Sequence, residues 1–512
     1  MNNLLPDVLL SEAPVTWSDV VNVARHGARM ELSAYRWMRV NEAREAVLAI
    51  ANSSKPHYGI NTGLGALCDV VFAPSELSKL SRHTLMSHAC GVSSPLRSEQ
   101  VRAIMCCAVV NYSHGYSGVS ADVVKGLLNL LNQGITPVVP GQGSVGYLSH
   151  MAHIGLALLG IGDVEFAGQI VTASQALASI DMQPVELGPK DGLCLVNGTP
   201  AMTGLACLTL ADTYHLASCA DVVAAMSFEA LGCQFDAISF AAIQRKTHAG
   251  MQQTMANLHQ LLAGSEVVAK SQGTHLQDAL SLRAIPQVHG ACRDQLEHAA
   301  RQVSDELNSA TDNPLVVKEG AEYRIISQAN PHGESVAMAC DLLTIAVCEW
   351  SSISERRAYR LVTPQANKLP PFLTKGGGVK SGMMIAQYSA ASLVADNKRL
   401  ALPAVTDNFL TSGLQEDHLS LGESAALKLD KAIENAFYIL AIEYLLAAQA
   451  FDFIEVRPFG QGTGCAWGLL RELVASYEEE HPLYQDIRHT YEVLRDLNTL
   501  FALRQALPNF DL

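Results

Sequence analysis

Charge is scarce in this chain: Asp, Glu, Lys and Arg make up only 17% of its 512 residues, against 49% hydrophobic residues. A lone globule of this size needs more polar cover, so part of the apolar surface is expected to lie between subunits. Positive charge is the scarcer sign. With 35 Lys and Arg against 50 Asp and Glu the formal net charge is -15, which excludes a non-specific nucleic-acid or anionic-membrane binder, since both need a basic footprint. The 12 cysteines show no CxxC and no Cys/His ligand spacing, so no metal site is expected and the thiols read as reduced core residues of a cytoplasmic protein. No basic region opens the N-terminal stretch MNNLLPDVLLSEAPVTWSDV, so export is not expected. The most apolar stretches, such as 436 to 451 with its Glu443, fall short of the roughly 20 apolar residues of a membrane helix. There is no internal repeat, charge run or low-complexity tract.

A chain this long exceeds what one core supports, so two or three regions are expected. Residues 1–200 mix short helices with turns fixed by Gly and Pro, as in YGINTGLG (58–65) and TPVVPGQGSVG (136–146). From 201 to 512 the pattern is helical. The segments 200–232, 334–364, 383–401 and 419–451 are rich in Ala and Leu and almost free of internal Gly and Pro. In the last of them Leu429, Ile433, Phe437, Leu440 and Tyr444 recur at three- and four-residue steps, with Lys428, Lys431 and Glu434 between them, so one face is buried. The expected fold class is mainly α, an extended bundle of long helices with a loop-rich N-terminal region.

Two glycine motifs call for a nucleotide and fail on context. Gly141 to Gly146 satisfies GxGxxG, but the strand that must precede it would contain Pro137 and Pro140, which cannot donate to a central ladder. Gly376 to Gly378 lacks phosphate-loop spacing. Taken singly, other signals are modest: Tyr58 on a glycine-rich loop that can close as a lid, Asn197 just ahead of a long helix, where capping is the plainer role, and Gln415-Glu416-Asp417-His418 before another helix, where acids usually match the dipole.

Taken in order they say more. YGINTGLG, LMSHACGV (85–92), HGYSGVSADV (114–123), TPVVPGQGSVG, GLCLVNGTPAMTG (192–204), SLRAIPQVHG (281–290), TDNPLV (311–316), LPPFLTKGGGVKSGMMIAQ (369–387) and LQEDHLSLG (414–422) resemble, in sequence and spacing, the segments of the histidine ammonia-lyases. The resemblance runs from about Tyr58 to about Phe451. It implies a homotetramer with shared active sites, a small histidine-derived substrate, Tyr58 as the base for the Cβ proton, and His88 and Glu416 as holders of the substrate ring. It further implies that Asn197, Arg283 and Asn313 handle the amine and the carboxylate, and Gln415, beside Glu416, is expected among the substrate-binding residues. Those residue types suit the roles: a guanidinium grips a carboxylate with two hydrogen bonds, and His plus Glu satisfy both ring nitrogens of an imidazole.

The chain departs from that pattern where the resemblance places the electrophile. The family cyclises an Ala-Ser-Gly tripeptide after GSVG into a methylidene-imidazolone, whereas here Gly146 is followed at once by Tyr147, where the family has aspartate. Leu280 and Pro331 replace a tyrosine and a phenylalanine. The electrophile exists to be attacked by an amine lone pair, which a quaternary ammonium lacks and does not need. The expectation is therefore a carbon–nitrogen lyase without cofactor, releasing trimethylamine from a histidine betaine, ergothioneine to thiourocanate being the best fit, with Lys380 facing the thione sulfur. Two alternatives stay open: a histidine ammonia-lyase whose methylidene-imidazolone is not visible in the printed residues, and an inactive binding scaffold.

Overall fold

The computed structural model describes residues 6–53, 55–320, 322–507 and 510, and they are mainly helical. Long helices span Pro200–Ala230, Glu334–Val362, Met384–Leu400 and Gly422–Asp452, as the Ala/Leu-rich segments predict. A further one, Ile285–Leu307, is masked in the sequence by Pro286, which sits in the first turn where its missing N–H costs nothing. Pro200 opens its helix in the same way. That helix runs 31 residues, about 46 Å at 1.5 Å per residue, and almost every side chain on it is buried, so it is apolar all round rather than amphipathic.

Two helical segments, Asp191–Ala230 and Glu334–Val362, are long and apolar enough by composition to cross a membrane, which the sequence expectation did not allow for. Their most apolar windows are 100% and 72% buried inside the protein, so they are accounted for as core helices.

The chain divides into two compact units that do not follow chain order. The first comprises 1–211, 299–341 and 403–427 and carries every paired sheet among the described residues, all of two or three short strands. Pro140–Gln142 forms an antiparallel pair with Val92–Pro95, so the GxGxxG string lies on a short ribbon and not at the mouth of a parallel sheet. The second unit comprises 212–298, 342–402 and 428–512 and is helical. Some of its charges are buried together. Asp221 receives Arg293 at 2.6 Å, His289 at 2.8 Å and Asn257 at 2.9 Å. Burial alone would raise its carboxyl, but Arg293 and its other donors bring it below the ordinary value.

Candidate active site

Two loops of the first unit meet where glycine allows it. Gly65 has φ +52°, and a Cβ on it would come 2.6 Å from Ser412 Oγ. The loop bearing Tyr58 thereby abuts the loop bearing Glu416. Tyr58 is half-buried, and its phenol oxygen accepts from the Gly65 N–H at 3.4 Å. The Glu416 loop closes through Thr411, whose N–H donates to Glu416 O at 2.9 Å and whose Oγ1 donates to Glu416 Oε2 at 3.1 Å. Thr411 carried no signal in the sequence, since its role is set by a tight turn with positive φ at Ser412, Gly413 and Leu414.

These loops line a cavity of about 1380 Å³. Tyr58, His88, Asn197, Asn313, Gln415 and Glu416 all reach its wall, as do Tyr147 and Pro331. Arg283 and Lys380 belong to the second unit. Arg283 ends the short helix Leu280–Arg283, and its buried Nε has no hydrogen-bond partner among the described residues; Leu280 is 65% exposed. Lys380 donates to Glu478 O at 2.8 Å and pairs with Glu479 at 2.9 Å.

Hydrogen-bond accounting shows what each side chain still offers. His88, at the end of the helix Leu77–His88, has Nδ1 2.7 Å from Thr84 O, so Nδ1 carries the proton and Nε2 is an acceptor in the neutral ring. Asn197 does not cap the following helix. Its Nδ2 donates to Asp312 Oδ1 at 3.2 Å and to Asn313 O at 2.7 Å, leaving its Oδ1 for a ligand. Asn313 is the reverse: its Oδ1 accepts from Gln328 N–H at 2.9 Å, leaving Nδ2. The wall thus offers an acceptor and a donor side by side, suited to an amine and a carboxylate.

Burial pushes the Tyr58 phenol above its usual value, and the nearby Cys68 and Glu416 add to the rise, while the Gly65 N–H and Lys190 oppose it. A phenol that serves as a base needs the opposite shift, which a bound cation would favour. Tyr147 is also pushed well up, first by burial and then by Glu416, to which its phenol donates. It is a fixed donor.

The turn 143–148 tests the electrophile. Between Gly143 and Ser149 stand Ser144, Val145, Gly146, Tyr147 and Leu148, with Ser144 Oγ donating to Tyr147 O at 3.1 Å. Leu421 N–H reaches Val145 O at 3.1 Å, and a Cβ on Gly146 would meet Ser420 Oγ at 2.6 Å. These residues do not fit the Ala-Ser-Gly source of a methylidene-imidazolone.

Beneath this turn His150 Nδ1 lies 2.6 Å from Glu423 Oε2, both side chains 1% exposed. Burial works against the imidazolium, but Glu423 outweighs it and the His150 pKa sits above its ordinary 6.5. A raised folded-state value means that the stabilisation is fully present below the unfolded value and is lost as pH rises through the folded one. The thermal midpoint is therefore expected to fall as pH rises above about 6.5, and to fall less in Glu423→Gln. On the cavity wall His332 Nε2 and His418 Nδ1 are 3.0 Å apart, and with Glu334 they form a group of donors within 4.8 Å that could hold a cation. Sequence reasoning did not single out that group.

Comparison with known proteins gives the context. The aromatic amino acid lyase profile matches residues 15–472. The histidine ammonia-lyase of Symbiobacterium thermophilum is 42% identical, over 94% of this chain and 96% of its own. That of Treponema denticola is 40% identical, over 98% and 99%. Among solved structures, ergothionase from Treponema denticola, in complex with desmethyl-ergothioneine sulfonic acid, superposes with a TM-score of 0.91 at 29% identity, covering 96% of this chain and 99% of that one. The expectation of an enzyme without cofactor is corrected by these relatives: across nearly the whole chain they are histidine ammonia-lyases, to which the resemblance assigns an autocatalytic methylidene-imidazolone.

Proposed function

This chain belongs to the aromatic amino acid lyase family and to the carbon–nitrogen lyases, and from that premise we propose that it eliminates the α-amine and a β-proton from a histidine-like amino acid, L-histidine first. The carrying observation is that Glu416, His88 with its Nε2 unprotonated in the neutral ring, and Tyr58 all line one cavity. Two acceptors suit a ring with two N–H donors, which an imidazolium has. In the reaction Tyr58 takes the Cβ proton, the Cβ–H electrons form the Cα–Cβ double bond, and the Cα–N electrons leave with the protonated α-ammonium group, which departs as ammonia. A substrate cation beside Tyr58 favours the phenolate that burial disfavours. Asn197 Oδ1 receives the amine, and Asn313 Nδ2 holds the carboxylate.

A second reading is a histidine betaine, ergothioneine above all, with trimethylamine as the leaving group. The thione ring of ergothioneine carries two N–H donors without needing a proton, which matches the same two acceptors. Tyr147 supports it as well: an aromatic face at the turn beside Glu416 suits an alkylated ammonium, and the ergothionase structure shares the fold. Offering L-histidine, hercynine and ergothioneine and following the conjugated product by ultraviolet absorbance separates the readings. L-histidine turnover with equimolar ammonia supports the first, trimethylamine release the second, and no product from any of the three refutes both.

Glu416→Gln is expected to lower kcat/KM for the preferred substrate about 10- to 100-fold, the value of a hydrogen bond to a charged group. A shared-site homotetramer is proposed too, supported by the exposed Met338, Leu342 and Ile345 on the Glu334–Val362 helix.

A further inference from the structure

Three donors converge on the carboxylate of Asp312, which is 1% exposed. Lys190 Nζ lies 2.8 Å from Oδ2, while Oδ1 accepts from Asn197 Nδ2 at 3.2 Å and from the Asn313 N–H at 2.7 Å. Lys190 is itself buried, also donates to Cys194 Sγ at 3.3 Å, and has φ +66°, a left-handed conformation that a residue with a Cβ adopts only when its surroundings hold it there. Burial would discharge this amine, but Asp312 more than offsets that. The pair is therefore ionic. A carboxylate can only accept, so it dictates which end of the Asn197 amide turns inward. With the N–H groups drawn to Asp312 and to Asn313 O, the carbonyl oxygen is the end left for the cavity.

We propose that the buried Lys190–Asp312 pair is a positioning device that sets the orientation of Asn197, so that an acceptor and not a donor meets the amine of the substrate. The proposal rests on the reading of the cavity as an amino acid lyase site. Lys190 has a second effect along the same line, being the cation whose field opposes the upward push on Tyr58.

The test uses the full-length enzyme and two ligands that cannot react: histamine, which keeps ring and amine, and imidazolepropionate, which keeps ring and carboxylate. In Asp312→Asn the new amide oxygen stays on Lys190 and its NH2 faces the Asn197 NH2, which must turn. Calorimetry is expected to show histamine binding weakened about tenfold, with imidazolepropionate within about twofold. Equal losses for both ligands, or no loss for either, would overturn the proposal. Lys190→Met strands Asp312 and carries a folding risk; where it folds, the alkaline rise of kcat/KM is expected to move to higher pH, and an unmoved profile counts against the pair. If Lys190→Met fails to fold, the two-ligand comparison in Asp312→Asn still decides. Wild-type enzyme that binds neither ligand would overturn the lyase reading of the cavity, and the proposal with it.

Discussion

Tyr58→Phe is expected to lower turnover by about 10²- to 10⁴-fold, the usual worth of a positioned general base, while ligand binding changes little. The phenol oxygen has one described hydrogen bond, a long one from the Gly65 N–H, so removing it costs the loop almost nothing. What is lost is the proton acceptor. Since burial raises the phenol's pKa, the free enzyme holds it protonated at neutral pH, and kcat/KM is expected to climb with pH through the neutral and mildly alkaline range. That climb should vanish with the oxygen in whatever activity Tyr58→Phe retains. Steady-state kinetics over a pH series, paired with imidazolepropionate binding to the same two proteins, checks both parts. Turnover within about threefold of wild type, set against the expected loss, would remove Tyr58 from the chemistry.

Glu443→Ala is expected to destabilise the protein by about 3–5 kcal/mol, the range for breaking a buried ion pair from one side. Glu443 and Arg357 are both fully buried, joined through Arg357 Nε and Nη2 at 2.6 and 2.9 Å, and Ser227 Oγ donates to the same carboxylate at 2.6 Å. Without Glu443 the guanidinium keeps, among the described residues, only His289, at 3.4 Å from Nη1, and an uncompensated charge stays inside the second unit. Replacing both partners by Leu removes the stranded charge, so the double variant is expected to recover most of the loss in a denaturant titration. A single variant as stable as wild type would show that the pair is dispensable.

The long helices are legible because their stability comes from local propensity and from continuous apolar runs, both written within a few turns. Glu443 is legible as an interruption, but its partner lies 86 residues away, and no local pattern announces Arg357. Asn197 shows the same limit more sharply. Its place before a proline-led helix suggests a cap, whereas Asp312, 115 residues on, claims its amide. Lys190 and Asp312, 122 positions apart, carry no local signal of their pairing for the same reason, and only the fold makes them a buried pair. Tyr147 stands out as a departure, yet its hydrogen bond to Glu416 depends on a loop 269 positions downstream. Of the cavity lining, the ordered resemblance names Tyr58, His88, Asn197, Asn313, Gln415 and Glu416 but not Thr411, His332 or His418, and the hydrogen-bond directions come from the structure alone.

In the proposed reaction a Cβ–H bond and the Cα–N bond of a histidine-like acid are both broken in this cavity. The most direct test is turnover of L-histidine and its betaines deuterated at both β positions, followed by mass spectrometry of the product. Loss of one deuterium per molecule, matched by one equivalent of released amine and an acrylate side chain, is the predicted result. A product that keeps both deuteriums, or amine released with no double bond formed, would contradict it.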